Sequence, residues 1–347
     1  MRKDVVFFVF LLALFGFDAC STDVNLYADY KDVPIVYGLI DVNADTNFVK
    51  ISRAFCGSND NPIDANEVAL IADSCNYPGK LKACIVELRN TYGQTYEPTG
   101  REFELDTVTI HNKEEGLFYA PDQKLYYTTE KFKKNNGGNK YRYRLEVVKP
   151  NGDTISSVTT PVGGDLEIMS VKANFTPNQS NATEQLVFRS SNEAVLYDIK
   201  MQFNYWEEHA GQARTKKNVS WSYGARPLSG YEDLLNGIYG LDYSVNVFFN
   251  ALRREIGNDT VWDFNHPNVT RYIDDFVVTM SVGGRELYES YEINLVLENG
   301  LNAVAYSNIE GGFGLFSSRT NVIKTVGLSA STKRHLFSLR SWGFVEQ

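Results

Sequence analysis

No stretch of this chain is apolar for long enough to cross a bilayer as a helix, which takes about 20 residues. The one clear apolar run, Val5 to Phe17, falls short. Histidine is scarce: His111, His209, His266 and His335 are the only four, and none is close to another. His-Glu-x-x-His is therefore missing, and so is Gly-x-Ser-x-Gly, so two frequent hydrolase signatures are excluded. Cysteine is as sparse. After Cys20 there are Cys56, Cys75 and Cys84, with no Cys-x-x-Cys and no histidine nearby, which argues against a zinc site. An excess of base is also lacking. The formal net charge is −9, and Arg2 and Lys3 cancel Asp4 and Asp18, so the acidity belongs to the remainder. An acidic surface argues against nucleic acid, whose phosphates need Lys and Arg, and against a charge-driven grip on anionic lipid.

What is present begins with an address. Met1-Arg2-Lys3 is a short positive start, and Val5 to Phe17 has the size of a signal-peptide core. Phe17-Asp18-Ala19-Cys20 ends it and resembles a lipobox, in which the cysteine is acylated and becomes the new N-terminus. Asp18 departs from the usual small residue there. The expectation is cleavage after residue 19, lipid on Cys20, and a polar tether over 20–32. No Asp follows the cysteine directly, so the inner-membrane retention cue is missing. The outer membrane is expected, with its periplasmic and cell-surface faces both open. An oxidising compartment allows one disulfide among Cys56, Cys75 and Cys84, in a pairing the sequence leaves open.

From Val33 the pattern is β. Val33–Ile40, Phe48–Ser52, Leu81–Leu88 and Phe103–Ile110 are predicted strands. Tyr141–Val147 alternates apolar and charged residues, and Pro150-Asn151-Gly152-Asp153 then predicts a tight Asn-Gly hairpin into Thr154–Thr160. Residues 58–74 predict a short helical insertion. Pro161-Val162-Gly163-Gly164 reads as a hinge. Beyond it, Tyr197–Tyr205, Val219–Tyr223 and Phe276–Met280 are predicted strands. Val245 to Ile256 recurs at helical spacing, with Ser244 as N-cap and Gly257 as stop, and Glu286–Leu297 is a second helix. The expected architecture is mainly β. An immunoglobulin- or transthyretin-like sandwich occupies 33–162, and an α+β antiparallel-sheet domain with about two helices occupies 165–347.

Two stretches resemble one family. Val33-Pro34-Ile35-Val36-Tyr37-Gly38-Leu39-Ile40 with Phe48-Val49-Lys50-Ile51-Ser52-Arg53 is similar to the opening strands of an uncharacterised family of Bacteroidota outer-membrane lipoproteins. Tyr306 to Phe316 resembles that family's closing motif, Ser-Asn-Ile followed by a Gly-rich turn and an aromatic. Members are often encoded beside TonB-dependent receptors. The resemblance implies an outer-membrane address and a receptor as neighbour; it supplies no catalytic residues. Physically, Gly311-Gly312-Phe313-Gly314 permits a tight turn, with Phe313, Leu315 and Phe316 docking on the core.

Few constellations carry chemistry. Trp206-Glu207-Glu208-His209 is the densest titratable cluster and reads as a solvated loop rather than a metal or acid–base site. Asp41 to Asn47 places oxygens at alternate positions like a calcium loop. Thr46 and Ser52 then stand where Gly and Glu are needed, so a plain turn is favoured. Tyr205, Trp221 and Tyr223 have a core period, whereas Trp206 and Trp262 are candidate rings for stacking on a ligand. Thr107, Thr154 and Thr260 each follow Asp and precede an aliphatic residue, like the O-glycosylation acceptor of Bacteroidota envelope proteins. No cofactor or metal is expected. The reading is a non-catalytic, lipid-anchored binding or receptor-accessory protein. A glycan-binding lipoprotein, a fimbrial or adhesive subunit, and a hydrolase are the alternatives.

Overall fold

The computed structural model describes residues 32–54, 75–111, 122–135, 138, 140–175, 183–256, 262–263, 266–267, 269–300 and 304–346. The predicted signal peptide, the predicted tether up to residue 31, Cys20, Cys56, the 58–74 insertion, Gly257 and Thr260 lie outside them.

The protein is mainly β, a sandwich followed by an α+β region. The first half carries β1 (Pro34–Ile40), β2 (Asn47–Arg53), β3 (Lys82–Tyr92), β4 (Thr95–Glu104), β5 (Asp106–Ile110), β6 (Gln123–Thr128), β7 (Tyr141–Val148) and β8 (Thr154–Thr159). A four-stranded sheet in the order β4-β3-β7-β8 packs on strands β1, β2, β6 and β5. Alternate residues meet between the layers: Val36, Ile40, Val49, Ile51 and Tyr126 from one, Ala83, Ile85, Tyr143, Leu145 and Val147 from the other.

The single strand predicted over Phe103–Ile110 is two strands in different layers. The chain crosses at Leu105, which is wholly buried and donates its N–H to the Ala83 carbonyl at 3.0 Å. The β7–β8 hairpin also differs from the tight turn expected. Gly152 N–H donates to the Lys149 carbonyl and Lys149 N–H to that of Asp153, so three residues form the loop. Proline at the first turn position favours a type I turn, and only Gly152, at φ 90°, takes the left-handed conformation that finishes it.

The second half carries β9 (Glu167–Ser170), β10 (Thr183–Arg189), β11 (Leu196–His209), β12 (Thr215–Ser222), β13 (Arg226–Pro227), β14 (Glu232–Leu235), β15 (Ile238–Ser244), α1 (Asn246–Ile256), β16 (Trp262–Asp263), β17 (His266–Pro267), β18 (Val269–Gly283), α2 (Arg285–Glu298), β19 (Phe313–Val326), α3 (Ala330–Ser338) and β20 (Phe344–Val345). Its core lies among β11, β18, the sheet β14-β15-β10-β9 and α1, around Tyr197, Phe203, Phe276, Phe188, Tyr243 and Phe248. The sequence predicted two helices; three occur among the described residues. α3 was missed because it buries only Thr332 and Leu336, too few positions to show a helical period, although Ser329 caps it.

One ten-stranded sheet joins the two halves, in the order β12-β11-β18-β19-β1-β2-β6-β5, with β13 and β20 at its side. The join is β19. Its first residues, Phe313–Ser318, pair parallel with Ile35–Ile40 of β1, and Arg319–Val326 pair antiparallel with β18. The two predicted regions on either side of residue 165 thus share this sheet. Ile309 and Phe316 are buried in the first core. Gly314, at φ +119°, makes the join possible, because a Cβ there would overlap the Val36 carbonyl oxygen. The Asn308 side chain closes the loop before it, accepting from Phe316 N–H at 2.9 Å and donating to the Phe316 carbonyl at 2.7 Å. Phe313 does not dock on the core as expected: strand alternation turns it outward, 52% exposed, while Phe316 turns in.

Candidate binding surfaces

The two outer faces of the sandwich differ in chemistry. On the β4-β3-β7-β8 layer charged side chains flank the apolar outward positions Cys84, Val86 and Val158. Glu102 and Arg144 flank Val86, and Glu104 and Glu146 flank Cys84. Arg144 and Glu146 form an ion pair at 2.6 Å. This is the usual solution for an antiparallel sheet with one wet face.

The other outer face is apolar. Parallel pairing sets Phe313 beside Ile35 and Leu315 beside Tyr37. Antiparallel pairing sets Phe48 beside Tyr127, and Leu125 beside Val108. Tyr37 is 57% exposed and Phe48 43%, and Val108 and Ile110 are exposed as well. Lys50 lies next to Tyr37 within this surface. Its ammonium donates to Gln123 Oε1 at 3.2 Å, and no carboxylate pairs with it among the described residues. Five strands about 4.8 Å apart and about 17 Å long span roughly 400 Å². That is the size at which an exposed apolar patch is commonly functional, about 300–600 Å².

The Trp206 cluster is a strand, not the loop expected. β11 continues to His209, and Trp206 to His209 pair with Tyr272 to Val269 of β18. Trp206 is half-buried, and the Lys216 ammonium stands 5.7 Å above its ring. The Arg214 guanidinium lies 3.7 Å from the neighbouring Tyr272 ring. Ion pairs to Asp274 and Glu208 hold these cations at 2.9 and 2.8 Å. The Arg214 hydrogen bond keeps the Glu208 carboxyl below its ordinary range. The protein's own cations thus occupy the ring faces that a sugar would need. Tyr205 and Trp221 are core, and Tyr223 accepts from the Trp221 indole at 3.1 Å. Trp262 lies in β16, and its side chain is outside the described residues.

Two carboxylates are buried, Glu207 where a solvated loop was expected and Glu87 where the sequence singled out nothing. Glu207 is held by Arg271. Glu87, wholly buried in the middle of β3, accepts from Lys133 at 2.7 Å, Thr99 at 3.1 Å and Tyr143 at 3.4 Å. A charge inside the apolar run Cys84 to Leu88 was its only signal. Both carboxylates are saturated by protein donors, which is the arrangement of a compensated structural charge. The Asp41–Asn47 oxygens are likewise used internally: Asp41 accepts from Asn43 N–H at 2.9 Å and Thr320 Oγ1 at 2.8 Å. No cluster of three His, Cys, Asp or Glu fit for a metal ion occurs among the described residues.

Depressions among the described residues include the following two. A cleft of about 360 Å³ lies where β7 and β8 meet the start of α2, lined by Arg142, Asn192, Glu193, Arg285 and Glu286. A groove of about 520 Å³ between α1 and α3 is lined by Phe249, Asn250, Arg253, His335 and Trp342. Phe249 and Trp342 stack at 6.2 Å but are 6% and 9% exposed, so they show edges rather than faces.

Cys75 and Cys84 are not joined to each other, and burial pushes the Cys84 thiol up. Thr107 is half-buried on β5, and Thr154 is exposed at the start of β8. Neither protein-family models nor curated proteins gave a match to this chain.

Proposed function

We propose that the protein is a non-catalytic, lipid-anchored envelope protein that docks a protein partner on the outer face formed by β19, β1, β2, β6 and β5. The observation that carries this reading is the apolar character of that face. A monomeric antiparallel sheet alternates apolar and polar residues, and here Phe313, Tyr37, Phe48, Val108 and Ile110 stand where polar side chains belong. Tyr37, Phe313 and Phe48 with their aliphatic neighbours have the aromatic-rich anatomy of an interface centre, and Lys50 beside Tyr37 offers a charge for an acidic group of the partner. Lipid on Cys20 would keep the body at the outer membrane, where a TonB-dependent receptor is the neighbour that the family resemblance implies. The glycan-binding alternative finds less support, because Lys216 and Arg214 cover the Trp206 and Tyr272 rings.

A photo-reactive phenylalanine analogue placed at Tyr37 or Phe313 in intact cells tests the surface, with Tyr96 on the opposite sheet as reference. The expected result is one shared protein adduct from Tyr37 and Phe313, absent from Tyr96 and lost with Lys50→Glu. No adduct, or the same adducts from all three positions, would overturn the reading. Alkyne fatty-acid labelling tests the anchor: wild type should take up label and Cys20→Ala should not.

A further inference from the structure

Among the described residues β5 ends the ten-stranded sheet, and it is built unlike the other long sheet edges. An open edge offers unpaired backbone groups to any passing strand, so proteins blunt it with lysine, proline, bulges or cover. The edge strand β4 contains Pro98 and a left-handed Gly100. β12 carries Lys216 and Lys217. β8 is covered where Ser156 and Glu310 exchange backbone hydrogen bonds at 3.3 and 2.8 Å. β14 is four residues long and acidic, with an irregular register. β5 reads Asp106-Thr107-Val108-Thr109-Ile110, with no lysine, arginine, proline or glycine. Its ladder with β6 runs unbroken over all five residues. All but Thr107 are exposed.

The free side can be identified. Thr107 N–H donates to the carboxylate of Asp106 at 2.8 Å. The backbone N–H and C=O of Thr107 and Thr109 therefore face outward from the ladder, because hydrogen-bonding direction alternates along a strand.

We infer that β5 is the seam of a two-fold dimer, in which the β5 strands of two copies pair antiparallel about Val108. The strand is complementary to itself in this register. Thr107 of each copy meets Thr109 of the other and exchanges both backbone hydrogen bonds. Val108 meets its twin, and Asp106 meets Ile110. Threonine pairs and β-branched pairs are favourable across strands, and like charges directly opposite are not. Here no like charges meet: the two Asp106 carboxylates stand four residues apart along the seam, roughly 13 Å. Each keeps its own partner in Lys80 at 3.2 Å. A two-fold interface demands this self-complementarity. The pairing also joins the apolar outer faces of the two copies into one surface, since Val108 and Ile110 already belong to it.

The test uses the full-length lipoprotein in detergent. In the proposed register, Val108 and its twin form a non-hydrogen-bonded pair with Cα atoms about 4.5 Å apart, within disulfide range. Mild oxidation of Val108→Cys should give a covalent dimer of the chain, whereas Val158→Cys on the covered β8 edge should not. Light scattering after gel filtration should give twice the chain mass for wild type. Val108→Lys sets two ammonium groups opposite each other on an exposed face; it should reduce the dimer at least tenfold while leaving the circular dichroism spectrum of the folded chain unchanged, and it should remove any dependence of the melting temperature on protein concentration. A single-chain mass at about 100 µM, well above micromolar dissociation constants, together with no Val108→Cys dimer would overturn the inference. A Val108→Cys disulfide to a different protein, with wild type monomeric, would overturn it too.

Discussion

Glu207 Oε2 sits 2.9 Å from both Nε and Nη2 of Arg271, and the two residues are 64 positions apart in the chain. Arg271 is 2% exposed, and two further donors hold the C-terminal segment: Nη1 reaches the Trp342 carbonyl at 2.9 Å and the backbone N–H reaches that of Gly343 at 2.8 Å. One guanidinium therefore neutralises a strand β11 carboxylate and fastens β20 beside β18.

Removing Arg271 leaves Glu207 buried with the His209 ring at 3.1 Å but no guanidinium, and removing Glu207 takes the carboxylate from a buried Arg271. Arg271→Met is expected to cost about 3–5 kcal/mol in urea unfolding, and Glu207→Met a similar amount. The double variant Glu207→Met/Arg271→Met should recover much of that loss, because no unpaired charge remains. Equal losses adding in the double variant would show that the two residues act separately.

Gly314→Ala attacks the join between the halves. The residue has φ +119° and no room beyond its Cα, because the Val36 carbonyl fills the space. The expected loss is about 2 kcal/mol or more, since both strain and the β1–β19 ladder are affected. Gly211→Ala is the comparison: its φ is +78°, but nothing stands within 4 Å of the new methyl. Its cost should stay near 1 kcal/mol. Thermal unfolding of the two variants side by side checks the difference.

Alkaline pH should unfold the protein through its tyrosines. Burial pushes the Tyr231 hydroxyl up to about 12 and raises Tyr126, Tyr143, Tyr197 and Tyr243 as well. An unfolded tyrosine ionises near 10. The folded state thus holds these protons more tightly. The stability they contribute is complete below pH about 10 and is lost as pH rises through the folded values. The share of the phenolate absorbance that belongs to the buried tyrosines should rise together with loss of circular dichroism above pH about 10, rather than ahead of it. Tyrosine ionisation complete before any unfolding would refute this.

Legibility followed the range of the interactions. Strands β1, β2, β7, β8, β11 and β18 and helices α1 and α2 were readable, because period-2 and period-3.6 burial is written in neighbouring residues. The β4–β5 crossing was not, because Leu105 looks like one more apolar residue in a run. The end of β11 was misread because Glu207 is paired by Arg271, and nothing near it in sequence announces that. Lys216 over Trp206 hid an apparent stacking ring in the same way. The apolar outer face was also invisible: Phe313 and Tyr37 are 276 positions apart in number but adjacent strands in space.

The sequence by itself determined that the chain is mainly β, with a hairpin at Gly152 and two helices in its second half, because side-chain period and turn chemistry act over a few residues. Only the tertiary structure decided that β19 crosses from one half to the other, that Glu207 and Glu87 are compensated in the interior, and that one sandwich face is apolar while the opposite one is charged. Those features depend on which strands lie side by side. That is settled by packing between segments far apart in the chain, such as Gly314 against Val36, and local pattern does not encode it.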